Sequence, residues 1–366
     1  MNKRKMRMAA LMLAVSLSGT AQAWSYTVTD LGTLGGTYSS SEGMNATGQV
    51  VGVSVIDGDT AQRAFLYSNG VMADLGTLGG TSSIGTAIND AGQITGQAQI
   101  SVNGPSHAFL YNNGVMTDLG TLGGPDSYGI GINAAGHVTG FANTNIPYTD
   151  GITTSHAFLY SNGIMTDLGT LGGTHSIGIG INTDGQVTGS AKTTEEEHAF
   201  LYSNGVMTDL GTLGGNFSRG LGINDAGQVT GQSLLAGNTI SHAFLYGNGS
   251  MIDLGTLGGA YGYGLGINSL GQVVGVSSNA SSSDPRAFLY SNGTMVDLNT
   301  LIDPGAGLTL IQAADINDAG QIVGQGINSN GEYRAFLLTP VPEPETYAML
   351  LVGLVLVGAA ARRCRG

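Results

Sequence analysis

Histidine and aspartate are the side chains here with the most chemistry in them, and nearly all of them sit in repeated positions. His107, His156, His198 and His242 each open a His-Ala-Phe tripeptide, and Arg63, Arg286 and Arg334 open the matching tripeptide elsewhere. An imidazole can act as a general base or a metal ligand. A guanidinium stays protonated and can do neither. A position that alternates between the two, on separate copies of a repeat, points to a structural use. His137 stands where six other copies have Gln, which points to a shared hydrogen-bonding role. His175 falls outside both patterns and has no evident partner.

The aspartates behave alike. One opens Asp-Leu-Gly-Thr-Leu-Gly-Gly at Asp30, Asp74, Asp118, Asp167, Asp209 and Asp253, and a worn copy, Asp-Leu-Asn-Thr-Leu-Ile-Asp, starts at Asp297. Seven carboxylates in a ring could gather cations, but the same count arises if each caps its own turn, which is the simpler expectation. Asp90, Asp225 and Asp318 lie in Asp-x-Gly turns where other copies have Ala46, Ala134, Thr183 and Ser269, again turn chemistry. Asp57-Gly58-Asp59 is the start of a calcium loop without the remaining ligands. Glu195-Glu196-Glu197 reads as a solvated loop tip. There is no Gly-x-Ser-x-Gly elbow, no His-Glu-x-x-His and no P-loop. No catalytic, cofactor-binding or metal-ligating residue is therefore assigned, and the chain is expected not to be an enzyme.

These residues must be held by whatever repeats. The heptapeptide recurs at spacings of 44, 44, 49, 42, 44 and 44 residues, a period that marks a repeat architecture. After it come an Ile-Asn-x-x-Gly-Gln-Val-x-Gly block and the His/Arg-Ala-Phe-Leu-Tyr block, seven copies of each. Four short strands follow from each repeat: A (Gly-x-Gly-Ile-Asn), B (Gln-Val-x-Gly), C (Ala-Phe-Leu-Tyr) and D (Val-Met-Thr-Asp-Leu). Asn-Gly joins C to D, a strong hairpin signal. Strand C is apolar on both faces, so both must be covered, as when small sheets stack around an axis. Four strands per roughly 44 residues is the pattern of a β-propeller.

The ends of the repeat region are complementary. The last copy stops at Arg334-Ala335-Phe336-Leu337-Leu338 with no strand D, and Tyr26 to Leu31 is a strand D with no strand C before it. Together they complete seven blades and close the ring. An all-β, seven-bladed β-propeller over residues 24–340 is the expected fold, with a β-solenoid second. Length variation in the full periods falls entirely between strands B and C, in segments such as 141–155 and 190–197. These loops share a face with the D–A connections. Asn145, Tyr148, Asp150, Glu195, Glu196 and Glu197 are accordingly the candidate binding residues.

Charge and composition narrow the partners. Of 12 Lys and Arg, only Arg63, Lys192, Arg219, Arg286 and Arg334 lie between residues 24 and 340, against all but two of the 25 acidic residues. Nucleic acid is excluded as a partner, since phosphate binding needs clustered cations. With Cys364 as the single cysteine, no disulfide forms within the chain. No cofactor is implied.

The two ends read as addresses. Residues 1–23 have a basic start (Lys3 to Arg7), an apolar stretch (Met8 to Val15) and a small-residue cleavage site at Ala21-Gln22-Ala23, a signal peptide for signal peptidase. Near the other end, over 341–366, come Pro342-Glu343-Pro344, an apolar run from Tyr347 to Ala361, and Arg362, Arg363 and Arg365. That run is about 15 residues, short for a transmembrane segment. This order resembles the PEP-CTERM sorting signal of exported Gram-negative proteins. The resemblance implies an exosortase as processing partner and transient inner-membrane anchoring before release to the cell surface or beyond. The repeated Gly-Thr-Leu-Gly-Gly and His-Ala-Phe blocks resemble the HAF family of extracellular repeats, which implies an extracellular location and no particular reaction. The functional expectation is an exported, non-catalytic binding or structural component of the cell surface or exopolysaccharide matrix, with extracellular polysaccharide as the candidate ligand. The alternative is a secreted glycosidase or lyase, which needs paired carboxylates near the axis.

Overall fold

The computed structural model describes residues 26–147 and 153–341. The signal-peptide site (Ala21, Ala23), Tyr148, Asp150, the sorting motif (Pro342, Glu343, Pro344, Arg362, Arg363, Arg365) and the apolar run before the terminal arginines lie outside these residues. Among the described residues no helix is long and apolar enough to cross a membrane.

The described residues form seven four-stranded antiparallel blades. Blade 1 runs from Gly35–Met44 (strand A) through Val50–Ile56 and Gln62–Ser68 to Val71–Asp74 (strand D). Blades 2 to 6 repeat this order. Single parallel pairings, Glu197 with Phe217 and Ser241 with Tyr261, link blades 4, 5 and 6 at their edges. Blade 7 takes three strands from one end of the chain, Leu308–Ile316, Ile322–Asn328 and Tyr333–Pro340, and its fourth from the other, Tyr26–Asp30. Tyr26 pairs with Pro340 and Asp30 with Phe336, so the ring closes as the complementary ends require.

The worn heptapeptide has a reason in this closure. Its Leu298, Leu301 and Ile302 join a core cluster with Tyr26, Leu310, Phe336 and Leu338. The Tyr26 amide donates to the Leu301 carbonyl at 2.9 Å. Where the other copies have a glycine in a turn, this one has Ile302, an apolar surface for the incoming strand.

Cores lie between blades, not within them. Val51 and Ala64 of blade 1 pack with Ile88, Ile94 and Phe109 of blade 2, and similar clusters recur around the ring. The Phe of each His/Arg-Ala-Phe block is fully buried. It lies over the glycine of strand B, where an added Cβ would collide with the strand A carbonyl opposite, as at Gly52 against Ser40. The register slip in strand A, between Ser41 and Gly43 in blade 1, brings that carbonyl close. The C–D turns have positive φ at both central residues, Asn69 at 51° and Gly70 at 81°, the primed geometry that Asn-Gly favours.

Around the axis the asparagine of every Ile-Asn block is buried. Each donates its side-chain N–H to the backbone carbonyl of the same asparagine in the next blade: Asn45 to Asn89, and so on to Asn268, then Asn317 and back to Asn45. Its Oδ1 accepts amide N–H groups of its own A–B turn. In six blades the Gln four residues on offers Oε1 to the same Asn amide. His137 departs from the shared role expected of it. It keeps the backbone bonds, its N–H to Asn133 Oδ1 and its carbonyl from the Asn133 amide, but its ring has no hydrogen bond among the described residues. An imidazole is too short and rigid to turn an acceptor back onto the asparagine as an amide does. Asn224→Ala would strand the Ala226 and Gln228 amides and the Asn268 carbonyl. We expect a loss of about 2–4 kcal/mol in urea unfolding. A change below about 0.5 kcal/mol would show the ring to be incidental.

Candidate functional site

The D–A connections and B–C loops do share one face. Leu34 and Gly35 bridge to Ile56, Gly123 pairs with Thr144, and Gly214 with Leu235. The heptapeptide is the fixed floor of this face. Its aspartate caps the turn, with Oδ1 accepting the N–H of the glycine two residues on, as at Asp30 and Gly32. That glycine has φ near 76°, which an L side chain rarely adopts. Its threonine hydroxyl donates to the last glycine's carbonyl, Thr33 to Gly36 at 2.8 Å.

The same aspartate also takes the alternating His or Arg of strand C. Nδ1 of His107, His156, His198 and His242 lies 2.8 Å from Asp118, Asp167, Asp209 and Asp253. Arg63 and Arg334 make longer pairs, 3.6 and 3.9 Å, with Asp74 and Asp30. The two series are thus one structural device in each of these blades. The separation of eleven residues, visible in the sequence in all but the closing blade, where Asp30 comes from the other end of the chain, is the signal for it. Asp90, Asp225 and Asp318 also reach further than their own turns. Their Oδ1 atoms accept the amides of Ala46, Thr183 and Ser269 in the preceding blades, so they tie blades together.

The candidate loop residues do not act as one group. Asn145 is exposed at the rim. Glu195 is exposed, but the triplet is not the solvated tip that was expected. Glu196 meets His198 Nε2 at 3.1 Å, and Glu197 pairs with Arg219 of blade 5 at 2.9 Å and with His175 at 3.6 Å. Adjacent blades converge there, so the carboxylate gains a partner that its sequence neighbours lack. Asp59 is likewise occupied: its two oxygens accept the Thr37 amide and hydroxyl at 2.8 and 2.9 Å. Among the described residues no three His, Cys, Asp or Glu side chains converge as a metal site.

Sequence reasoning missed the axial channel. A cavity of about 350 Å³ there is lined by strand A of all seven blades. The small residues next to the axis let these strands approach closely; a Cβ on Gly222 would lie 2.8 Å from the Leu265 carbonyl. Ile130, Ile179, Leu221 and Leu265 make one wall, and blades 7 and 1 place Asp315 and Glu42 on the other. Asp315 occupies the position that is Gly or Ala in every other blade. Its carboxylate accepts the amides of Met44 across the closure at 3.1 Å and of Ile316 at 2.8 Å. Glu42 accepts the Ser40 hydroxyl at 2.8 Å. Both are surrounded by protein yet keep solvent contact along the channel. Burial pushes Asp315 up from 3.8 to about 6, against the opposing effect of its two amide donors. Burial raises Glu42 as well, against the Ser40 hydroxyl. Beyond a ring of isoleucines, a second cavity of about 280 Å³ opens among the Asn ring with Asp90, Asp225 and Asp318.

Against known proteins, residues 340–365 match the PEP-CTERM protein-sorting motif. Curated protein sequences give no match. Among solved structures, the chain is similar to the β-propeller domain of the Trilobed protease from Pyrococcus furiosus, described as having an open velcro topology. The TM-score is 0.50 at 8% identity, covering 70% of this chain and 79% of that one. It is also similar to TolB from Acinetobacter baumannii (TM-score 0.46, 12% identity, 81% of this chain) and spans 64% of TolB's length. The fold is a β-propeller, and the sorting motif marks an exported protein handled by an exosortase.

The Asp315 carboxyl makes a signed prediction. Its pKa is higher folded than unfolded, so its contribution to stability is fully present below about pH 4 and is lost as pH rises through about 6. From pH 4 to 7 this should remove on the order of 1–3 kcal/mol in urea unfolding, and Asp315→Asn should flatten the profile. Superimposable profiles for the two proteins would refute the assignment.

Proposed function

We propose that this chain is a non-catalytic propeller, processed by an exosortase, that serves as a binding or structural component of the cell surface or exopolysaccharide matrix. The observation that carries the reading is the PEP-CTERM motif at residues 340–365, behind a propeller whose length variation is gathered on one face. Acidic charge and the scarcity of cations between residues 24 and 340 suit a hydrated, anion-free exterior ligand such as a neutral polysaccharide. The aspartates of the His–Asp pairs are spent on capping their turns, and the serine that recurs beside each turn is spent on backbone hydrogen bonds, which favours scaffold over catalysis. Handling by the exosortase includes transient anchoring in the inner membrane through the apolar run before the terminal arginines, followed by release.

The loops at 141–155 and 190–197 break the repeat most visibly and form the contact surface in this reading. A polysaccharide-acting enzyme is the second reading, favoured by one observation: Glu42 and Asp315 share the axial cavity.

Two measurements test the proposal. Replacing Pro342, Glu343 and Pro344 by alanine should leave the chain at its unprocessed mass in the membrane fraction; unchanged processing would remove the exosortase step. Shortening 141–155 to the length of 190–197 should abolish co-sedimentation with the producing organism's own polysaccharide while thermal stability is kept. Depolymerisation of that polysaccharide by the intact chain, lost in Glu42→Gln, would instead establish the enzyme.

A further inference from the structure

The axial chamber has two chemically different walls, and the difference is set by blade. Blades 3 to 6 contribute Ile130, Ile179, Leu221 and Leu265. The adjoining blades 7 and 1 contribute the carboxylates Asp315 and Glu42. A strict repeat would place small or aliphatic residues all the way round. Two neighbouring blades depart from it, and both departures put an acid into the same enclosed space.

Those acids have no counter-charge. None of the residues lining the chamber is Lys, Arg or His. Neither carboxylate takes part in an ion pair among the described residues. Glu42 Oε1 accepts the Ser40 hydroxyl, while Oε2 has no donor among the described residues. Withdrawing a carboxylate from most of its water without a partner is unfavourable unless a cation or a proton joins it. The Ser40 hydroxyl and the two amides on Asp315 answer only part of that demand.

The aliphatic wall identifies the kind of cation. A hard metal ion seeks about six to eight oxygens. Besides the two carboxylates the lining offers only the Gln312 amide and the Thr86 hydroxyl as side-chain oxygens, the latter already donating to the Thr95 and Gly129 carbonyls, and the four aliphatic side chains supply none. A protonated amine carries its charge at one end and apolar surface at the other, which fits both walls at once. We propose that the axial chamber binds a small alkylammonium ion, its head on Glu42 and Asp315 and its chain along Ile130, Ile179, Leu221 and Leu265. The site is separate from the loop face and does not depend on polysaccharide binding there.

The chamber's titratable groups are Glu42 and Asp315, with Asp90, Asp225 and Asp318 beyond the isoleucine ring at the second cavity. Binding therefore requires ionised carboxylates and strengthens as pH rises from about 5 towards neutral.

Isothermal titration of the full-length chain near neutral pH with n-butylammonium chloride tests this, with 1-butanol, ammonium and calcium chloride as comparison probes. We expect one n-butylammonium per chain, held at least about tenfold more tightly than ammonium or 1-butanol. Affinity should fall about tenfold or more in Glu42→Gln and again at about pH 5. Asp315→Asn serves as a second variant, and far-UV circular dichroism confirms that each variant is folded. Equal affinity for 1-butanol, unchanged binding by folded Glu42→Gln, stoichiometric calcium binding that displaces the amine, or no binding of n-butylammonium would each overturn the proposal.

Discussion

Seven asparagine side chains, each bonded to the backbone of the next blade, form a closed circle around the axis. The rest of the structure depends on it because the groups involved are buried and cannot turn to water. A buried amide left unpaired costs about 1–3 kcal/mol, so each blade is satisfied only when its neighbour is present. No blade has an internal core to fall back on, since the apolar clusters lie between blades. Burial and hydrogen bonding thus demand the same thing, a complete ring. That demand explains why the end of the chain opens a strand's width short and the beginning supplies the missing strand. Closure also recruits the one irregular heptapeptide, whose apolar residues receive Tyr26.

On this symmetric frame the asymmetric features fall in two places. One is the face carrying the B–C loops, where chain length varies at the rim of a floor held by Asp–Gly turns and His–Asp pairs. Loop length there can change without altering the strands that make the ring, since surface connections tolerate insertion. The other is the axial channel, where a single substitution in a glycine-rich strand exposes a side chain to a space shared by all seven blades. Asp315 and Glu42 do this from adjacent repeat positions on the two blades that meet at the closure. Asp315 there both grips Met44 across the seam and carries a raised pKa, so ring closure and protonation are connected through one group.

The site was less legible than the fold. The loops were found by length alone, but the fate of Glu197 depended on Arg219 arriving from the adjacent blade. The His–Asp pairing was present in the spacing and went unread because the two residues belong to different blocks. Asp90, Asp225 and Asp318 looked like local turn residues, yet their acceptors serve the preceding blade. Glu42 and Asp315 gave no motif at all: each is a lone acid in a strand whose other copies hold small or aliphatic residues.

What the sequence determined by itself was whatever repeats or stays local. The period set the number of blades, Asn-Gly set the C–D turns, the apolar strand C required cover on both faces, and the unmatched end strands required closure. Each is encoded within one repeat or in a comparison of repeats. Tertiary structure alone decided which distinct residues meet. Met44 and Asp315 stand 271 residues apart in the chain and become hydrogen-bonded neighbours because the first and seventh blades are adjacent in the ring. The walls of the axial chamber come from all seven blades, two or three residues each. No linear pattern carries that information, since the meeting is produced by the curvature of the whole ring and not by any segment of it.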